Sequence, residues 1–231
     1  MGFLVDSARA AFSLIVTADR DVLSAVWTSV SIAAGSILLA SLAGIPCGIQ
    51  VGIGRFPGKR VAIIVLNSLT AVPTVVVGLV LYGLLSRQGP LGSLGLLFTR
   101  TAILIGQACL AAPIVANYAL SAVKGADPRI VPSALTLGAS RLESLLLLTR
   151  EIRFGIMAAI IAGFGRVISE VGVAMMLGGN IRWYTRTMTT AIALQTSKGE
   201  FAYGLALGFL LIVASFSVNV VLSFLQEGHS G

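Results

Sequence analysis

Residues 22–54, 61–86, 101–123 and 201–226 contain no Asp, Glu, Lys or Arg. Each run is longer than the roughly 20 residues a helix needs to cross hydrocarbon. A fifth run, 154–181, is equally apolar but carries Arg166, Ser169 and Glu170. The pattern predicts an all-α membrane protein with about five transmembrane helices. Residues 2–17 place Phe3, Leu4, Ala8, Ala11, Phe12 and Ile15 at helical spacing, interrupted by Asp6, Ser7 and Arg9. This segment is too short to span and lacks the basic start of a signal peptide, so it predicts a helix lying along the membrane interface. Segment 180–200 is polar. Its apolar centre, 188–194, is again too short to span and predicts a re-entrant or surface helix.

Small and polar residues inside the runs refine the picture. Gly44, Gly48 and Gly52 recur every four residues and form a stripe that lets another helix approach closely. Gly204 and Gly208 offer a second such face. Pro73, among Asn67, Ser68, Thr70 and Thr74, predicts a kink that frees a backbone carbonyl. Gln107, Pro113 and Asn117 lie inside the third run.

The long charged segment between spans is 124–153. Asp127 and Pro128 predict a helix start, Gly138 a stop, and Ser140 with Glu143 a capping box that opens a second helix carrying Leu142, Leu145, Leu146 and Leu148. From pattern alone this is a structured loop between two membrane helices.

Composition agrees with the pattern. The chain is 56% hydrophobic and 11% charged, against about 25% charged in soluble domains, with mean hydropathy +0.96. No stretch is long enough for a second, soluble domain, so residues 1–231 are expected to form one transmembrane domain. The net charge of +7 resides mostly in short loops, where Lys and Arg set topology, and does not imply nucleic-acid binding. The loops at 55–60 and 124–153 hold eight Lys and Arg, the opposite side seven. The dense loop of Arg55, Lys59 and Arg60 decides for an amino terminus outside and a carboxyl terminus in the cytoplasm. Cys47 and Cys109 sit in apolar runs and read as packed thiols. The single histidine, His229, lies in a polar tail and reads as solvated.

Enzyme chemistry has little support. The sequence has no phosphate-cradling Gly-rich loop ending in Lys-Ser/Thr, no nucleophile elbow and no zinc spacing. The unusual groups are Arg166 and Glu170. A charge at the bilayer centre costs roughly 2.5–3.5 kcal/mol on insertion scales. Four residues apart, the two share a helix face and can pair, with Ser169 on the same side. Two readings stand: an ion pair stitching helices, or a polar wall of a substrate path. A third, with Glu170 as the ion-coupling site of a secondary transporter, would usually call for more spans or an inverted repeat.

Several motifs resemble a known family. Ala134, Leu137, Gly138, Ala139 and Ser140 look like the centre of the cytoplasmic coupling loop of ABC-transporter importer permeases, with Pro132 where that motif has Glu and Ser133 where it has Ala. Gly163, Phe164, Arg166, Glu170, Gly172, Gly179 and Asn180 resemble the fourth span of the molybdate, sulfate and tungstate permeases. Pro73, Thr74 and Gly78, Gly89 to Gly92, and Arg55 to Gly58 also match that family, and the stretch from Thr187 to Phe201 looks most like its tungstate branch. The resemblance implies a type I ABC importer permease fold in the plasma membrane of a prokaryote. It implies no cofactor in this chain. Two copies would line a path, two ATP-binding subunits would dock at Pro132, Ser133, Ala134, Leu137, Gly138, Ala139 and Ser140, and an extracytoplasmic oxyanion-binding protein would deliver the anion. Thr70, Thr74, Gln107, Arg166, Ser169 and Glu170 are the expected path residues. Arg182 and Arg186 are expected to meet the binding protein.

Overall fold

The computed structural model describes residues 2–17 and 19–227; His229 lies outside them. Among the described residues every regular element is a helix. Helix α1 (Gly2–Val16) packs along the last helix, α11 (Phe201–Glu227). Helix α2 (Arg20–Ile53) is continuous over 34 residues, and α5 (Arg100–Gly125) over 26. These two, with Phe201–Val218 of α11, are each long and apolar enough to cross a membrane.

The α2–α5 seam is the scaffold, and the glycine stripe explains it. A Cβ at Gly44 would stand 2.8 Å from the Ala112 carbonyl oxygen, and one at Gly48 would run into the Ala116 carbonyl. The backbones touch where side chains are missing, which is how helices gain van der Waals contact when lipid competes equally for apolar surface. Ser36 adds polar closure, donating to the Leu104 carbonyl at 3.1 Å and to Gln107 Oε1 at 3.3 Å. Around the seam, Ile37, Val115, Phe164, Val167, Met188 and Leu207 form the main core.

The second and fourth runs differ from expectation. The second is two helices, α3 (Lys59–Thr70) and α4 (Thr74–Leu85), bent by 96°, which is a break and not a kink. Pro73 lacks an N–H and pushes Val72 out of helical conformation. The fourth is α8 (Arg153–Ile168) and α9 (Gly172–Gly178), bent by 61°. Among the described residues there are thus three candidate spans, or up to five where each bent pair counts as one.

The charged segment holds α6 (Ile130–Thr136) and α7 (Arg141–Glu151). The capping box is formed: the Ser140 N–H donates to the Glu143 carboxylate at 2.7 Å, and the Glu143 N–H to Ser140 Oγ at 3.2 Å. Helix α6 begins later than Asp127. That carboxylate accepts the Arg129 N–H at 2.9 Å and so caps a turn ahead of the helix. The polar segment forms α10 (Met188–Ser197), whose first turn is buried and which packs on α2 and α11, so it is not a surface helix. Gly204 faces Thr196 of α10, whereas no described residue lies within 4 Å of a Cβ built at Gly208. Cys47 and Cys109 are exposed, not packed, because both point away from the seam.

Candidate functional site

The break in the fourth run is built around Glu170. Helix α8 stops where the Ser169 hydroxyl turns back to the carbonyls of Gly165 (2.8 Å) and Arg166 (3.2 Å). Glu170, only 3% exposed, then serves both sides. Its Oε2 accepts Arg166 Nη1 at 2.7 Å, and its Oε1 accepts the Val173 N–H at 3.2 Å. One carboxylate thus neutralises the last turn of α8 and caps an otherwise unpaired amide in the first turn of α9. Its carbonyl accepts the Thr189 hydroxyl at 2.7 Å, which ties the break to α10. The Arg166 side chain keeps 34% of its surface exposed, so the pair has an open edge.

The two breaks meet. Helices α4 and α9 pack together, and Gly172 is the close point. A Cβ there would stand 3.2 Å from Thr74 Oγ1 and 3.3 Å from Glu170 Oε1. Thr74, Arg166, Ser169 and Glu170 therefore gather at one place. Thr70 does not join them; it is exposed at the end of α3 with its hydroxyl on the Asn67 carbonyl at 2.6 Å. Gln107 is 3% exposed inside the α2–α5 seam and is bonded to Ser36. Its role in this arrangement is packing.

The break of the second run is largely open. Helix α3 buries no residue, and Thr70, Ala71 and Pro73 are exposed. Lipid cannot hydrogen-bond the backbone of a broken helix, so such a segment belongs against protein or water.

At the charged end, Pro132, Ser133, Gly138 and Ser140 are exposed and Leu137 is 87% exposed, while Ala134 turns inward and Ala139 is half-buried. Gly138 has φ +90°, a conformation natural to glycine. Ile130 and Val131 of α6 pack with Ile49 of α2 and with Leu148 and Ile152, so a push on α6 reaches the scaffold. The Ser140 amide holds the Glu143 carboxyl below its ordinary value. Arg129 holds that of Asp127 down to about 2.

At the other end Arg182 and Arg186 are already engaged. Arg182 pairs with Asp21 at 2.6 Å, which also accepts the Trp183 indole N–H, and this bond holds the Arg182 guanidinium more firmly protonated. The Arg20 and Arg182 guanidinium groups both lie over the Trp183 ring, at 5.0 and 4.4 Å. Arg186 donates to Asn180 Oδ1 at 3.1 Å. Sequence reasoning missed Asp21, Trp183 and Thr189, whose partners are distant in the chain. The one local signal was a threonine cluster ahead of α10, where Thr187 and Thr190 form a second capping box.

No family model matches the chain. Individual relatives do. The chain is 40% identical to a tungstate uptake system permease protein, TupB, of Peptoclostridium acidaminophilum, over 98% of this chain and 100% of that protein. It is 39% identical to TupB of Campylobacter jejuni, over 96% of this chain and 92% of the relative. A probable anion ABC transporter permease protein of Haloferax volcanii is 38% identical over 84% and 85%. An all-helical chain with broken spans, a glycine-ended exposed helix and this full-length similarity belongs to the ABC-transporter permease family that includes the tungstate uptake permeases.

Proposed function

We propose that this chain is the membrane subunit of an ATP-driven importer of a tetrahedral oxyanion, tungstate first and molybdate second. Full-length similarity to the tungstate permeases carries the reading. The paired breaks give it a physical basis. A doubly charged anion needs a polar route through hydrocarbon, and Thr74, Ser169 and the open edge of Arg166 lie together at the break. They suit passing contact better than tight binding, which would slow release. Glu170 has both oxygens engaged within the fold, which speaks against the secondary-transporter alternative.

The exposed break of α3 and α4 fits a second copy of the chain, the two copies enclosing the path between them. ATP-binding subunits dock on Pro132, Ser133, Leu137 and Gly138. An extracytoplasmic binding protein meets the end that carries Arg182 and Arg186. The amino terminus is outside and α6 and α7 are cytoplasmic. The test is uptake by vesicles holding the permease, its ATP-binding subunit and its binding protein. ATP-dependent tungstate accumulation is expected. ATP-driven accumulation of an amino acid or sugar, with neither tungstate nor molybdate taken up, would sink the assignment.

A further inference from the structure

A groove of about 1080 Å³ runs along one side of α2 to the α6–α7 turn. Ala43, Pro46 and Cys47 form its apolar wall, with Gln50 further along α2, Leu135 on α6 and Arg141 on α7. From Ala43 to Gly54, both lining residues, α2 rises about 16 Å at 1.5 Å per residue. That is close to half of a hydrocarbon core about 30 Å thick, the depth of one leaflet.

The far end is cationic and unsatisfied. Arg141 makes no hydrogen bond or ion pair among the described residues, nor does the Gln50 side chain. Arg55 follows directly on the lining residue Gly54. The neighbouring Lys59 has its amine on the Gly52 and Gly54 carbonyls, at 2.7 and 3.0 Å. No carboxylate lines the groove. An aliphatic wall one leaflet deep that ends at an unpaired guanidinium matches an acyl chain with an anionic headgroup.

We propose that this groove binds an anionic phospholipid of the inner leaflet, its phosphate at Arg141 and an acyl chain along Ala43, Pro46 and Cys47. The proposal rests on the orientation given above, with α6 and α7 cytoplasmic. Lipid so placed touches the scaffold helix and the coupling helices together, and splints one to the other.

The test is native mass spectrometry of the full-length permease in detergent, titrated with phosphatidylglycerol or phosphatidylcholine. The wild type is expected to prefer phosphatidylglycerol. Arg141→Gln should weaken that binding about fivefold, the weight of one basic residue at an anionic surface. Cys47→Phe, which fills the wall, should remove the preference. Arg129→Gln, whose guanidinium is paired with Asp127, should leave it intact. Equal binding of the two lipids, or a preference that survives both groove variants, overturns the site. A loss of dimer mass in both groove variants, with lipid binding unchanged, assigns the groove to a second copy and also overturns it. Uptake by vesicles holding the same wild-type and variant permeases with the ATP-binding subunit and the binding protein separates the two readings. Oxyanion uptake without lipid preference overturns the lipid site alone, whereas lipid preference without oxyanion uptake supports the site and overturns the importer reading.

Discussion

The α2–α5 seam and the break of the second run contain the same awkward residue and treat it differently. Pro46 and Pro113 sit inside α2 and α5 without ending either helix, whereas the helix breaks at Pro73 by 96°. Each proline removes one backbone bond. In the seam, a neighbouring backbone packed at Gly44 and Gly48 holds the helix in line. Helix α3 buries no residue and is tied to α5 by the Asn117 amide on the Leu66 carbonyl at 3.0 Å, with no close backbone seam to hold it in line with α4. Continuity in this protein is a property of packing partners more than of the sequence of one helix. The unpacked places are where a path can open.

The largest expected effect lies at the breaks. Removing one partner of a buried pair costs roughly 3–5 kcal/mol in soluble proteins. Arg166→Met leaves Glu170, 3% exposed, as a buried charge without its cationic partner. Glu170→Gln leaves Arg166, which is less deeply buried, with 34% of its side chain exposed. Arg166→Met should therefore lower the unfolding temperature in detergent more than Glu170→Gln, and more than the double change. A double variant that folds but does not transport assigns the pair to the path; one that transports normally makes it structural.

Next comes the seam. Gly48→Leu forces α2 away from Ala116 and should cost about 1–3 kcal/mol, as overpacking does in cores. Gly165→Ala, with nothing within 4 Å, should be neutral or stabilising by up to about 1 kcal/mol through helix propensity. Equal losses at both sites in thermal unfolding would erase the contrast between the regions.

Gly138→Ala places a side chain at φ +90°, a local cost of roughly 1–2 kcal/mol. Uptake should fall while membrane insertion is unchanged, and Gly138→Trp should act more strongly through its bulk at the docking face. Unimpaired uptake by the Trp variant would remove the coupling role. The smallest effect is with pH. Folding depresses the Asp127 value to about 2, so the Asp127–Arg129 contribution is fully present above the ordinary carboxylate range, about pH 4. It is lost as pH falls towards about 2. The protection factor of the Arg129 amide, its exchange rate taken relative to that of an unstructured peptide at the same pH, should fall over that window, and Asp127→Asn should abolish this change.

What was legible in the sequence was local or periodic. Charge-free runs give α2, α5 and α11 because length and apolarity suffice to define a span. Ser140 with Glu143, and Gly138, are readable because a cap and a left-handed turn need only neighbouring residues. The break at Ser169 was not readable, since the run around Arg166 and Glu170 has the same apolar content as an unbroken span, and Glu170 looks like a helix-face partner when it is also a cap. Gln107 appeared as a donor for the path because its Ser36 partner lies 71 residues away. The Arg182–Asp21 pair is not legible because its members lie 161 residues apart.

The central claim is that the path runs where the breaks meet, and a single cysteine at Thr74 tests it most directly. In a background with Cys47 and Cys109 replaced, the variant would be assembled with its ATP-binding subunit and binding protein in vesicles and treated with a membrane-impermeant thiol reagent from either side. The account predicts labelling from one face without nucleotide and from the other with ATP trapped, with protection by tungstate, and no labelling of a control cysteine at Ala108 in the seam. A Thr74 cysteine closed to both faces in both states, in a transporter that still takes up tungstate, would contradict it.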